Sequence, residues 1–216
     1  AECRPGLAVL PAASKADLLS VDRRTLARCR LIAFTTSVVV PGSVLDGLGY
    51  GGYNFHPGPP EYPGLSPSQF ALYDRATTFG GTVHRITERV DAGPIVAVAR
   101  FGVPAGATLY SLEIATFQHL ARLFWALTPA LVADAPLHEG DIEWGTQTST
   151  RRSTEAMCDI PLDVDADELD RRVTAFAHSP FGLTPTVTLH GHRFRLVPDE
   201  AELELRTENT AVPSAA

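Results

Sequence analysis

The chain has 216 residues, of which 44% are hydrophobic and 20% charged, enough for one main soluble domain with a sizeable core. A formal net charge of −7 with no dense run of Lys or Arg predicts no nucleic-acid partner, because the cationic footprint that grips phosphate backbones is missing. Apolar runs such as 31–34 and 38–40 fall far short of the roughly 20 residues that a bilayer-crossing helix needs, so no membrane span is expected. The scattered Cys3, Cys29 and Cys158 offer neither a disulfide framework nor metal-ligand spacing, which predicts a reducing, cytoplasmic setting and no bound metal. Ala1 at the start and a single Met157 predict a processed or trimmed N-terminus, and no signal-peptide pattern is visible.

Leu7–Leu10 and Leu31–Thr35 are apolar runs flanking helical spacing at Ala16, Leu19, Leu26 and Ala27, which predicts strand, helix, strand and part of a parallel sheet. Gly51–Pro57 predicts a further strand that runs into a loop crowded with Pro and Gly up to Pro67, the kind of segment that forms sites. Ser66 with Gln69, and Pro67 at the first helical position, predict a capping box on a short helix reaching about Tyr73. Gly81–Thr87 and Ile95–Val103 predict two strands joined by the loop Glu88–Pro94. Leu109, Leu112, Leu120, Phe124 and Leu127 recur near the helical period, capped by Thr108, and this helix is expected to pack on the sheet.

After Pro136 the pattern weakens until Asp165–Phe176, a helix with an acidic first turn and Arg171 and Arg172 nearer its end. Thr186–Leu189 and Arg193–Val197 predict a hairpin turning at His190, Gly191 and His192. The polar tail beyond Pro198 is expected to be loose.

Asn54 and His56, two apart at a strand end, point to one face. The run Asn54-Phe55-His56-Pro57-Gly58-Pro59-Pro60-Glu61-Tyr62-Pro63-Gly64 resembles the Asn-x-His-Pro loop of the folate-dependent formyltransferases. Gly81-Thr82-Val83-His84 and then Asp91-Ala92-Gly93-Pro94-Ile95 are similar to that family's second motif, in the same order. The resemblance covers about residues 31–130.

It implies an α/β fold with a mostly parallel, open, Rossmann-like sheet, reduced at its N-terminal part because only about 50 residues precede Asn54. Residues 1–135 would form the catalytic domain, 136–200 a C-terminal extension of linker, helix and β-hairpin, and 201–216 a flexible tail. The implied activity is formyl transfer from 10-formyltetrahydrofolate to the primary amine of a small molecule, without a metal. Asn54 would donate to the formyl oxygen, a partly cationic His56 would stabilise the same charge, and Asp91 would hold His56 and assist proton transfer. The folate pocket would be lined by Val39, Val40 and Pro41 on one side and by Arg89, Val90 and Ala92 on the other, with Thr82 a further candidate.

His84 is read as a buttress of the sheet rather than a catalytic group. His190 and His192 lack a carboxylate or cysteine at ligand spacing, and Arg151 and Arg152 read as a solvated pair that could also grip a phosphate. The family's Gly-rich phosphate loop for glycinamide ribonucleotide is missing, and the acidic charge disfavours tRNA. Residues 151–187 resemble the truncated extension of methionyl-tRNA and amino-sugar enzymes, so a nucleotide-linked amino sugar is the expected acceptor. Two alternatives stand beside this reading: a 10-formyltetrahydrofolate hydrolase, and a non-catalytic folate-binding or partner-binding relic. An open cleft from His56 past Val40 would favour the enzyme, and a filled one the relic.

Overall fold

The computed structural model describes residues 4–177 and 182–197. Where a strand was expected at Leu7–Leu10 there is none, and Val9 is 82% exposed. Pro5 and Pro11 bracket this apolar run and no neighbouring strand takes up its backbone, so its composition alone cannot make a strand.

The expected single helix that follows is two short ones. α1 (Lys15–Ser20) carries a full capping box between Ser14 and Asp17, and Asp22, accepting from the amides of Arg24 and Thr25, caps α2 (Arg23–Leu26). The extended backbone at Val21 separates them.

β1 (Leu31–Phe34) leads through the short α3 (Gly42–Leu45) to β2 (Gly52–His56), and α4 (Pro67–Tyr73) follows the Pro/Gly loop. Ser66 does not cap α4: its φ is 63° and its side chain makes no capping bond. β3 (Thr78–Arg85) and β4 (Ile95–Gly102) complete a sheet of order β1-β2-β3-β4. β1 and β2 are parallel, whereas β2–β3 and β3–β4 are antiparallel. The α/β class holds, but the sheet is mixed rather than mostly parallel. The β3–β4 connection, residues 86–94, is too short for the crossover that parallel strands need.

α5 (Leu109–Leu131) begins at the expected Thr108, whose side chain and that of Ser111 cap each other, and it runs past Pro129. It buries Leu120 against Tyr53, Phe55 and Val83 of the sheet, and Phe34 stacks on Phe55 at 5.2 Å. Gly81 permits this approach, because a Cβ there would lie 2.5 Å from the Leu120 side chain.

α6 (Arg151–Cys158) and β5 (Asp159–Ile160) fill a stretch in which the sequence showed no pattern. α7 (Ala166–Phe176) is capped by Asp165. β6 (Thr186–Leu189) and β7 (His192–Arg195) join β5 in a second sheet of order β5-β6-β7. Their turn is one residue tighter than expected, since His190 (φ 49°) and Gly191 (φ 81°) form the corner and His192 already belongs to β7. α7 docks this unit on α4 through Phe70 and Phe176, 5.5 Å apart edge to face, and through the Tyr73 hydroxyl, 2.9 Å from Glu168. The tail beyond Val197 and Cys3 lie outside the described residues.

Candidate active site

Strand alternation sorts the site from the core. Tyr53, Phe55 and Val83 face α5, so Asn54, His56, Thr82 and His84 share the opposite face. The antiparallel register of β2 and β3 sets Asn54 directly across from His84 and His56 across from Thr82. One polar quartet is thereby fixed by two strands.

Asp91 returns over this face from the β3–β4 loop in a left-handed backbone conformation, φ 43°, which Asp tolerates better than most residues. Gly93 lets the loop close, because a Cβ there would lie 1.9 Å from the Arg85 carbonyl oxygen. The carboxylate is a hub. Its Oδ2 receives the Gly64 N–H at 2.9 Å and faces His56 Nδ1 at 3.2 Å. Its Oδ1 lies 3.1 Å from His84 Nε2 and 3.4 Å from Asn54 Nδ2. Four polar groups of the protein thus surround a carboxylate that has four acceptor sites when ionised. Asn54, His56 and Asp91 are thus brought together as expected, and His84 joins them as a full member, 3.2 Å from Asn54 Nδ2.

Both histidines face acceptors on both ring nitrogens: Asp91 and the Tyr62 carbonyl (3.0 Å) for His56, Asp91 and the Arg85 carbonyl (2.9 Å) for His84. A neutral imidazole has one N–H and satisfies one of two such partners, so a proton taken up by His56 would be met by the partner left over. Burial opposes this at His56 and holds its pKa below the usual histidine value, against the pull of Asp91 and the Tyr62 carbonyl. Burial pushes the Asp91 carboxyl up, but the His84 hydrogen bond, the two histidines and the Gly64 amide outweigh it and leave its pKa lowered. The centre is therefore an ionised carboxylate held between two buried imidazoles.

A segment after α5 covers this centre. The Leu137 N–H donates to the Tyr53 hydroxyl at 2.8 Å, Gly145 N–H to the Pro60 carbonyl at 2.8 Å, and Trp144 Nε1 to the Gly93 carbonyl at 2.8 Å. The Trp144 ring stands edge-on to His56 at 5.7 Å and to His84 at 5.0 Å. Ser149 pairs with Gly64, where a Cβ would meet the Ser149 carbonyl oxygen at 2.1 Å. Sequence reasoning missed Trp144. The available signal was a single large aromatic in an otherwise polar, unpatterned stretch.

The hub opens onto a cleft of about 970 Å³. Val39, Val40, Arg89 and Val90 line it as expected, with Val39 64% and Val90 56% exposed at its mouth. Pro41 and Ala92 do not line it: Pro41 precedes α3 as its N-cap and Ala92 is turned to solvent. Thr82 is fully buried, donates to the Gly58 carbonyl at 2.8 Å and is not part of the lining. His190, His192, Arg151 and Arg152 also lie outside the lining, and Arg151 pairs with Glu155. The lining does include Ser66 and Gln69, whose buried Oγ and Nε2 have no hydrogen-bond partner among the described residues.

Residues 23–124 match the formyl transferase family. A methionyl-tRNA formyltransferase from Bifidobacterium adolescentis is 29% identical over 145 residues, covering 66% of this chain and 44% of that protein. The chain spans about half, or less, of the length of the curated relatives it matches. A sugar N-formyltransferase structure from a Shewanella species superposes with a TM-score of 0.68 at 16% identity, covering 87% of this chain and 74% of that one. An N-formyltransferase from Helicobacter canadensis, solved with folinic acid and dTDP-3-aminofucose, gives 0.59 at 14% identity over 79% and 63%. These two structures share the fold.

Proposed function

Since residues 23–124 belong to the formyl transferase family, we propose that the chain transfers a formyl group from 10-formyltetrahydrofolate to a primary amine of a small molecule, a nucleotide-linked amino sugar being the preferred acceptor. The observation that carries this reading is the Asp91 hub, which gathers Asn54 and His56 at the floor of an open cleft. An open cleft favours an enzyme over a relic whose site has been filled in. Its volume, about 970 Å³, suits a folate together with an acceptor, and the exposed valines at its mouth suit a flat pterin ring.

In the proposed reaction the amine nitrogen attacks the formyl carbon, a new C–N bond forms, and the bond from that carbon to the folate nitrogen breaks. Asn54, with two amide N–H groups, turns one toward the developing oxyanion. His56 takes up positive charge beside it, with Asp91 next to Nδ1 and the Tyr62 carbonyl next to Nε2. Asp91 fixes both and passes the amine proton through water to the departing nitrogen. The sugar N-formyltransferase relatives support the acceptor class, and the folinic acid bound to one of them supports the folate.

Calorimetry with 5-formyltetrahydrofolate, followed by an assay of transfer to a dTDP-linked amino sugar, tests the reading. Micromolar folate binding with amine-dependent release of tetrahydrofolate supports it. Amine-independent release of formate would make the chain a hydrolase, and no folate binding would sink both.

A further inference from the structure

We propose that Ser66 and Gln69 form the acceptor subsite of this cleft and that they read the ring hydroxyls of a neutral amino sugar. The inference rests on the formyl-transfer reading. Ser66 is 3% exposed and Gln69 1%, and both residues line the cleft that Asp91 and Asn54 also line. Ser66 Oγ and Gln69 Nε2 nevertheless have no hydrogen-bond partner among the described residues. Buried polar atoms are nearly always paired, because an unpaired donor forfeits its hydration without return. Two such atoms three residues apart, on the wall of one cleft, call for a partner from outside the chain. Neither atom is open to solvent as it stands, so each reaches a ligand by changing rotamer, Ser66 about χ1 and the Gln69 amide about its outer torsions.

Their chemistry selects the partner. The Gln69 amide nitrogen only donates, and the Ser66 hydroxyl donates or accepts. A sugar hydroxyl meets either group. The lining favours the neutral ring over a phosphate at this wall: Glu88, Asp91 and Glu113 line the cleft, while Arg89 is the only Lys or Arg among its described lining residues. The surrounding wall is neutral and polar, formed by Ser68, Gln118, Thr148 and Thr150. The subsite also lies next to the hub. The Gly64 N–H holds Asp91, and Ser66 follows two residues later on a loop pinned by Ser149, whose hydroxyl donates to the Pro63 carbonyl at 3.0 Å. A carbohydrate ring held by Ser66 and Gln69 therefore presents an amine toward Asn54 and His56. A nucleotide carrier would extend away from this wall.

The test uses the full chain saturated with 5-formyltetrahydrofolate. Glucosamine and cyclohexylamine, ring amines with and without hydroxyls, are titrated by calorimetry. Glucosamine is expected to bind about tenfold tighter or more, and Ser66→Ala and Gln69→Leu each to reduce that preference about fivefold. Folate affinity is expected to hold, and melting temperature to hold or rise, because each variant removes a buried unpaired group. Equal affinity of the two amines for the native chain, or a preference that survives in the double variant, overturns the subsite. Failure of the native chain to bind the folate overturns the formyl-transfer reading itself, a separate result.

Discussion

Two regions of one cleft stand in contrast. At Asp91 each carboxylate oxygen meets two polar groups of the protein, so the geometry exists before any ligand arrives. At Ser66 and Gln69 the polar atoms are equally buried and have no partner among the described residues. On the proposed reading the hub serves the chemistry and the wall the recognition. A substitution at the hub should damage turnover whatever the acceptor, whereas one at the wall should change which acceptor is used.

The largest effect is expected at the hub. Asp91→Asn replaces two of the four acceptor sites with donors that face donors, and kcat should fall about a hundred- to thousandfold or more. A loss under about tenfold in single-turnover transfer would move the chemistry away from Asp91 and erase the contrast. Next is Trp144→Ala, which uncovers both histidines. It should cost about 2 kcal/mol in urea unfolding and roughly tenfold in kcat, from lost packing and admitted water.

Val40→Trp tests the cleft mouth. Folate Kd should rise about tenfold or more while Pro41→Ala and Ala92→Ser change it less than about twofold, since neither residue lines the cleft. Equal effects at all three positions would return the pocket to the boundaries read from the sequence.

The smallest effect is on stability against pH. His56 is held below its usual value near 6.5, so the unfolded chain binds more protons at that residue than the folded chain, and stability should fall as pH drops below about 6.5. Asp91 has the same sign in a lower window, its contribution being present above about pH 4 and lost below it. Urea unfolding at pH 7.5 and 5.5 should show the advantage of the native chain over His56→Gln shrinking at the lower pH. A growing advantage would mean that His56 is protonated in the folded state.

The parts of this picture legible in the sequence depend on local pattern. β2, β3, β4 and α5 follow from alternation or helical period, and Asn54, His56 and Asp91 from two motifs. What was not legible depends on pairing between distant segments. Leu7–Leu10 has a strand's composition, but composition does not supply a neighbouring strand. The direction of β4 against β3 was set by a loop too short for a crossover, whereas that of β3 against β2 follows a connection of 21 residues, 57–77, that would permit either. α6 is a mostly polar helix whose start is fixed by Thr150 and Ser153, a capping box with Ser in place of the usual Glu or Gln. His84 was read as a buttress because its partners, Asn54 across the sheet and Asp91 across a loop, are visible only once register is known. Trp144 lies 51 residues from the Gly93 carbonyl it binds, with nothing in its immediate neighbours to announce the contact.

The pairing of Gly64 with Ser149 also has a temporal meaning. Leu65 donates to Ser149, and Ser149 in turn to Pro63, so the loop beside Asp91 receives its last backbone partner from a residue synthesised long after it. A nascent chain that ends before Trp144 already holds β1 to β4 and Asp91, but neither the ring over His56 and His84 nor the Ser149 pairing. Chain order thus supplies the carboxylate of the hub first and its cover last.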